Sequence, residues 1–168
     1  QDVTAQRQAE SATKELATII SSSDASILSL SPDGVITSWN AGAEHLYGYT
    51  AEEAIGQPFR QLSGSQAEID AQNSIWQRVV HGETIKQEAT RRTHKDGRSF
   101  YISLTMSPIL NDDGEVVGGS GIAHDVTERL EAEQALAKQR DELESLNRQK
   151  NRLFSIIAHD LRTPFNSL

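Results

Sequence analysis

The sequence predicts an α+β fold, with a central block of strands and short helices between an N-terminal helix and a long C-terminal helix. Three observations lead to this prediction. Residues 98–109 alternate between apolar and polar side chains, as expected of a half-buried antiparallel strand. Turn-forming residues separate this segment from β-rich neighbours. Apolar residues recur at helical spacing near both ends of the chain.

The N-terminal segment is expected to be a helix over residues 5–20. Its apolar residues follow spacings of four and three, which places them on one helical face. The sequence SSSD at 21–24 then interrupts the pattern. The apolar stripe consists of Ala5, Ala9, Ala12, Leu16 and Ile19.

The central block is expected to begin with a β-hairpin over residues 26–39. The segments SILSLS and GVITSW are rich in strand-forming residues and flank the turn sequence PDG. Proline presets φ for such a turn, and glycine permits a positive φ. Asn40 and Thr50 are then expected to cap two short helices, Thr50 through a capping box with Glu53.

A longer helix and three strands are expected to complete the central block. The helix is predicted over 66–81, and the strands over about 83–94, 98–109 and 115–125. The sequences KDG and NDDG form the turns between the strands. The expected buried positions of the helix are Ile69, Ile75, Trp76 and Val79. Those of the middle strand are Phe100, Ile102, Leu104 and Met106.

From about residue 127 the apolar residues follow a heptad pattern over more than three heptads. Six of the eight seam positions are apolar, and only Gln139 and Lys150 are polar. This regularity favours a parallel dimeric coiled coil. A single amphipathic helix folded back on the central block is the alternative. The seam consists of Ala132, Leu136, Gln139, Leu143, Leu146, Lys150, Leu153 and Ile157.

The composition excludes several classes of function. The chain of 168 residues has no cysteine, so disulfides, thiolate metal sites and cysteine nucleophiles are ruled out. No apolar run approaches the roughly 18 residues that cross a membrane. The net charge is −8, and the small basic cluster of Arg91, Arg92 and Lys95 is interpreted as part of a solvated strand. We therefore expect a cytoplasmic chain whose partners include neither nucleic acid nor membrane.

The central block resembles PAS sensor domains over about residues 17–129. The matching segments are SILSLSPDGVITSWNAGAEHLYGYTAEEAIGQPF and HKDGRSFYISLTMSPILNDDGEVVGGSGIAHDVTE. The order of elements, the Trp39–Asn40 pair, Gly56 and the closing DVT all fit this family. The resemblance implies a five-stranded antiparallel sheet with short helices on one face. It also implies that a cavity for a small molecule can lie between the sheet and these helices.

The C-terminal sequence FSIIAHDLRTPFNSL resembles the H-box of bacterial sensor histidine kinases, with Phe165 where leucine is usual. The resemblance implies that His159 is the phosphoacceptor. Asp160 would accept a proton from the imidazole ring and orient it, and Thr163, one helical turn further, would serve phosphatase action. The remaining two residues have supporting roles: Arg162 would neutralise phosphate charge or anchor a neighbouring domain, and Pro164 would kink the helix.

The sequence does not decide whether the central block binds a ligand or which ligand it binds. A flavin–cysteinyl adduct needs a cysteine, and a haem of the PAS type needs a histidine within 66–80, where there is none. The scattered histidines (His45, His81, His94 and His124) predict no metal site. A small apolar ligand or an ordinary core would use the same side chains, and we favour the core. These side chains are Ile75, Trp76, Phe100, Ile102, Leu104 and Met106.

An internal repeat predicts how the segments are joined. DVTAQRQAE at residue 2 nearly recurs as DVTERLEAE at residue 125. In the PAS resemblance, Asp125 and Thr127 form the joint between the last strand and the output helix, with Thr127 as a cap. The chain is accordingly divided into a linker helix after a preceding PAS domain (1–22), a PAS domain (23–126), a coiled-coil signalling helix (127–152) and the start of the phosphoacceptor helix (153–168).

The expected function is the sensory and dimerisation segment of a sensor histidine kinase. We expect homodimerisation through both terminal helices, phosphotransfer to a response regulator receiver domain, and interaction with the protein's own ATP-binding domain. No Gly-rich nucleotide loop occurs, so the chain is expected to be a fragment that is inactive alone, and ATP and Mg²⁺ are expected only for the missing catalytic domain. The alternatives are a small-ligand-binding module and a purely structural PAS dimerisation relay.

Overall fold

The computed structural model describes residues 2–165, and it divides after Thr127 into two compact units. In the first unit, the N-terminal segment is helix α1 (Val3–Ser22), none of whose residues is buried. The first strands are β1 (Ser26–Leu30) and β2 (Ile36–Trp39). The helices that follow are α2 (Ala41–Tyr47), α3 (Ala51–Ala54), a 3₁₀ turn (Phe59–Leu62) and α4 (Gln66–Val80). The last strands are β3 (Ile85–Thr93), β4 (Ser99–Leu110) and β5 (Val116–Asp125). The predicted order of elements is confirmed.

The five strands form one antiparallel sheet in the order β2-β1-β5-β4-β3. The predicted fold class is therefore confirmed. The first and last strands pair in the middle of the sheet, where Ser26 lies opposite Ala123. The entry and the exit of the domain are consequently neighbours.

The core lies between one face of the sheet and the helices that follow β2. The predicted alternation of β4 is present: Phe100, Ile102, Leu104 and Met106 are each no more than 8% exposed. From α4, Ile75 and Val79 are buried, whereas Ile69 and Trp76 are only half-buried. Two polar residues of the same helix, Glu68 and Gln72, are buried instead.

The predicted caps of the two short helices are both present. The Asn40 side chain accepts a hydrogen bond from the Ala43 amide at 2.8 Å. Thr50 and Glu53 form the reciprocal capping box, with the Thr50 amide donating to Glu53 Oε2 at 3.0 Å. These caps satisfy amides that the first turn of a helix leaves without partners.

Strand β3 contains a β-bulge between Gln87 and Thr90, where Ala89 adopts a positive φ of 59°. The bulge inserts one extra residue, so Thr90 pairs with Ile102 and Arg92 with Phe100. Because side-chain direction alternates along a strand, the extra residue turns Arg92 inward. The interpretation of Arg92 as solvated is therefore wrong: the residue is only 3% exposed.

The second unit is a helix. Helix α5 begins at Thr127 and continues to Phe165, so one helix covers both of the segments that the sequence analysis divided at residue 152. Pro164 lies inside this helix, one residue before its end. Residues 166–168 of the predicted phosphoacceptor segment lie outside the described residues.

Candidate functional site

The joint between the sheet and the start of helix α5 contains three hydrogen bonds among residues 101 and 125–127. The Val126 amide donates to the Tyr101 carbonyl at 2.9 Å, and the Tyr101 amide donates to Thr127 Oγ1 at 2.9 Å. Asp125 Oδ1 accepts from the Thr127 amide at 2.8 Å. The side chain of Thr127 was predicted to cap the helix, but it accepts a hydrogen bond from strand β4 instead. The side chain of Asp125 accepts the hydrogen bond from the amide at the start of the helix. Both predicted joint residues lie in one network, and Tyr101 is the member that the sequence did not indicate.

The H-box residues lie on the surface of α5. His159 Nδ1 lies 3.5 Å from Asp160 Oδ1, and the two side chains are 83% and 75% exposed. Thr163 Oγ1 donates to the His159 carbonyl at 3.1 Å, which puts it one turn from the imidazole on the same face. When Nδ1 carries the ring proton and faces Asp160, the lone pair is on Nε2.

The heptad seam of α5 is an exposed apolar stripe. Leu136, Leu143, Leu146 and Leu153 are between 58% and 69% exposed, and Ile157 is 44% exposed. At the polar seam position 150, the Lys150 ammonium lies 5.7 Å from the centroid of the Phe154 ring. An exposed apolar stripe of this kind is typical of a helix that packs against another protein surface.

Two small adjoining cavities lie between α4 and the sheet. The inner cavity has a volume of about 30 Å³ and the outer cavity about 40 Å³. A water molecule occupies on the order of 10–15 Å³, so each cavity corresponds in size to a few water molecules. The inner cavity is lined by Leu30, Phe59, Gln72, Ile75, Trp76, Arg92, Leu104 and Met106. The outer cavity is lined by Leu30, Asp33, Gly34, Phe59, Arg60, Gln72, Asn73 and Trp76.

The predicted pocket residues separate into two groups. Ile75, Trp76, Leu104 and Met106 line the inner cavity, whereas Phe100 and Ile102 do not. Phe100 packs against Tyr47, with the ring centroids 5.8 Å apart. The polar residues at the inner cavity, Gln72 and Arg92, were not predicted. The bulge that turns Arg92 inward occurs at an alanine, so no glycine marks it in the sequence.

Buried and half-buried aromatic residues form a cluster beside this region. Tyr47 lies 5.2 Å from Trp39 and 5.9 Å from Phe59, measured between ring centroids. Burial raises the pKa of the Tyr47 phenol to about 12, although the charge of Arg92 acts in the opposite direction. Burial also lowers the pKa of the Arg92 guanidinium, against the favourable effects of Tyr47 and Glu68.

Within residues 2–165, no helix is both long and apolar enough to span a bilayer. Over the same residues, no three histidine, aspartate or glutamate side chains converge as a metal-binding cluster.

The strand order and the helices between β2 and β3 define the class of fold. The family described as the PAS fold matches residues 20–131, and the chain belongs to this family. A PAS domain of known structure from Colwellia psychrerythraea is 31% identical, with a TM-score of 0.63 over 69% of this chain and 98% of that one. The predicted family is confirmed.

The similar curated proteins include two-component proteins. Two-component system protein A of Emericella nidulans is 33% identical over 145 residues, which are 86% of this chain and 21% of that protein. The cell-division control histidine kinase PdhS of Brucella ovis is 26% identical over 160 residues, 95% of this chain and 15% of that protein. The chain thus spans about a fifth or less of these relatives. Together with the PAS family, they support a sensory signalling role.

Proposed function

We propose that this chain is the sensory and dimerisation segment of a sensor histidine kinase, in which His159 receives a phosphoryl group. The observation that carries the proposal is the arrangement of His159 with Nδ1 toward Asp160 on an exposed helix surface. The names of the two-component relatives favour the same reading. In this function, a kinase ATP-binding domain and a response regulator receiver domain are the partners.

The imidazole ring of His159 is the nucleophile of the proposed phosphoryl transfer. The Nε2 lone pair of His159 attacks the γ-phosphorus of ATP, the new N–P bond forms, and the bond from that phosphorus to the β–γ bridging oxygen breaks as ADP leaves. The phosphorylated ring is then cationic and more acidic, and Asp160 accepts its Nδ1 proton. A receiver-domain carboxylate later takes the phosphoryl group from Nε2. In this proposal Thr163, which lies on the same helix face, orients the water of a phosphatase reaction.

The relay in this proposal runs through a parallel dimer of α5. Two copies of the apolar stripe cover each other and remove exposed leucine side chains from water. The joint at Thr127 couples β4 and β5 to the start of this coil. A ligand can shift the coil between two arrangements only if it binds the protein with different affinities in the two arrangements. The α1 stripe is assigned the same dimerising role at the N-terminal side.

Trans-phosphorylation tests the proposal. The chain is incubated with radiolabelled ATP and an ATP-binding domain of a related kinase, and His159→Ala is compared with the unmodified chain. His124→Ala is the matched control, because it removes another exposed imidazole from the sheet. We expect label on the unmodified chain and on His124→Ala, and at least a hundredfold less on His159→Ala, as expected when the attacking nucleophile is removed. Equal labelling of all three would sink the proposal and favour a ligand-binding or structural relay.

A further inference from the structure

The part of α5 that contains His159 carries an excess of positive charge. Residues 146–165 contain four basic side chains and one acidic side chain, whereas residues 127–145 contain three basic and six acidic ones. The PAS domain is acidic as well, with 14 acidic and 7 basic side chains over residues 24–125. The helix around His159 is therefore an exception in a chain whose net charge is −8.

The arginines in the two halves of α5 differ in their partners. In the first half, the guanidinium of Arg140 lies 3.9 Å from the Glu144 carboxylate, one turn further along the helix. In the second half, Arg148 and Arg152 are exposed, and no carboxylate of residues 2–165 forms an ion pair with either of them. Their guanidinium groups are therefore available to carboxylates of another protein.

Arg148 and Arg152 lie on the same face of the helix as His159. At about 100° per residue, each is rotated by only about 20° from His159 around the helix axis. At about 1.5 Å per residue, Arg152 precedes His159 by roughly 10 Å and Arg148 by roughly 16 Å. The seam residue Lys150 lies on the opposite side. In the proposed dimer the seam is covered, and the face that contains the two arginines remains exposed.

We infer that Arg148 and Arg152 form a docking surface for an acidic receiver domain that takes the phosphoryl group from His159. The inference rests on the proposed function and adds the surface that recognises this partner. During transfer, a receiver carboxylate oxygen bonds to phosphorus while the P–Nε2 bond breaks and leaves its electron pair on Nε2. The proton held by Asp160 returns to Nδ1, so the imidazole ends neutral.

The need for cations beside His159 follows from this step. The phosphoryl group on the ring is negatively charged, and the acceptor is a carboxylate, so like charges approach each other. Guanidinium groups on the same helix face offset the repulsion and form charge-assisted hydrogen bonds with acidic side chains of the partner. The acidic PAS domain repels the same partner, which favours docking at the phosphoacceptor end of α5.

The position of the two arginines favours a partner that arrives by diffusion. Arg148 lies too far up the helix to contact the phosphates of a nucleotide that reacts at His159. In the proposed function the ATP-binding domain belongs to the same polypeptide, and this tether already gives it a high effective concentration. A separate receiver domain has no tether, so long-range attraction increases its rate of encounter.

Transfer of label to a receiver domain tests the inference. The chain is labelled with radioactive ATP and a kinase ATP-binding domain, purified from both, and mixed with an isolated receiver domain of negative net charge. The second-order rate of transfer is measured at about 50 mM and about 500 mM salt, because salt screens exposed charges. We expect Arg148→Gln/Arg152→Gln to transfer about tenfold more slowly at the lower salt concentration and to lose most of the salt dependence.

Lys138→Gln/Arg140→Gln is the matched control. It removes two positive charges from exposed positions of the same helix, at least about 28 Å before His159. This distance exceeds the range of exposed charges at either salt concentration. Glutamine and arginine have similar helix propensities, so both double variants preserve the helix. We expect the control variant to transfer label at the rate of the unmodified chain.

The possible results separate the inference from the proposed function. If His159 takes no label, or if the labelled chain transfers to no receiver domain, the proposed function fails and the inference fails with it. If transfer occurs and Arg148→Gln/Arg152→Gln matches the unmodified rate, the inference alone is wrong. Equal slowing in the control variant would also contradict it. If the arginine variant is labelled as slowly by the ATP-binding domain as it transfers, the surface is not specific to the receiver domain.

Discussion

Asn40 joins three segments of the PAS domain through one side-chain amide. Its Oδ1 accepts from the amides of Ile27 and Ala43, and its Nδ2 donates to the carbonyls of Ile20 and Ala25. The residue is 8% exposed, so these bonds are largely shielded from water. The end of α1, the start of β1 and the start of α2 are therefore fixed to one another at this residue.

Replacement of Asn40 by aspartate is expected to destabilise the domain by roughly 2–4 kcal/mol at neutral pH. The carboxylate keeps both acceptor bonds but loses both donor bonds and faces two carbonyl oxygens. Denaturant unfolding followed by circular dichroism measures the change. Asn73→Asp is the control, because it adds the same charge at an exposed position of α4. An equal loss of stability in both variants would contradict the role assigned to the amide of Asn40.

Asn40 and Arg92 show which residue contacts could be predicted from the sequence and which could not. The capping role of Asn40 was predictable because a cap depends on residues close along the chain. Its bonds to Ile20, Ala25 and Ile27 depend on how distant segments pack, so no local pattern indicated them. Arg92 was misassigned because one bulge residue reverses the direction of every side chain after it.

Helix α5 exposes a row of large apolar side chains to water. Its seam leucines are more than half exposed, while Lys150 interrupts the apolar stripe they form. The element was predicted from its heptad spacing, because such periodicity follows directly from helical geometry. Pairing with a second copy depends on atoms outside one chain, and it remains a proposal.

The variant Lys150→Leu is expected to strengthen the proposed dimer by about tenfold in its dissociation constant, because a seam charge is replaced by an apolar side chain. Arg148→Leu, two residues earlier and off the seam, is the matched control. Sedimentation equilibrium of the two variants and the unmodified chain measures the effect. Strengthening by Arg148→Leu to the same degree, or weakening by Lys150→Leu, would rule out the predicted seam.

At the level of the whole molecule, the joint at Thr127 connects the sheet to the start of α5, and in the proposed relay it passes a change in the sheet to this helix. The Thr127 hydroxyl accepts from β4, and its amide donates to Asp125 at the end of β5. In the proposed relay, a small change in the pairing of these strands alters the start of α5. The two joint residues were predicted from the resemblance to the family. The contact with Tyr101 was not predicted, because it depends on how residues distant in the sequence pack together.

The variant Thr127→Ala is expected to change kinase output in the full-length protein while the PAS domain stays folded. Loss of one hydrogen bond costs about 1 kcal/mol, which is small against the stability of a domain. Autophosphorylation and thermal unfolding are measured together. Thr37→Ala is the control, because it removes a hydroxyl hydrogen bond of 2.8 Å to Ser29 at the β2 edge of the sheet, away from the joint. Kinase output that is the same in both variants would contradict the coupling.

A register test addresses the same coupling. One residue inserted near position 131 rotates everything after it by about 100° around the helix axis and is expected to alter kinase output. An insertion of about seven residues preserves the heptad register and is expected to restore it. If both insertions leave the output unchanged, the helix does not carry a rotational signal.

The pairing of β1 with β5 has a consequence for how such chains are assembled. Because Ser26 lies opposite Ala123, the domain begins and ends at neighbouring points of one sheet. A segment with adjacent ends can be excised or duplicated with little disturbance of the chain on either side. The recurrence of DVT at residues 2 and 125 fits duplication of this kind. A domain whose two ends adjoin can therefore be added to a longer chain, or removed from it, as one unit.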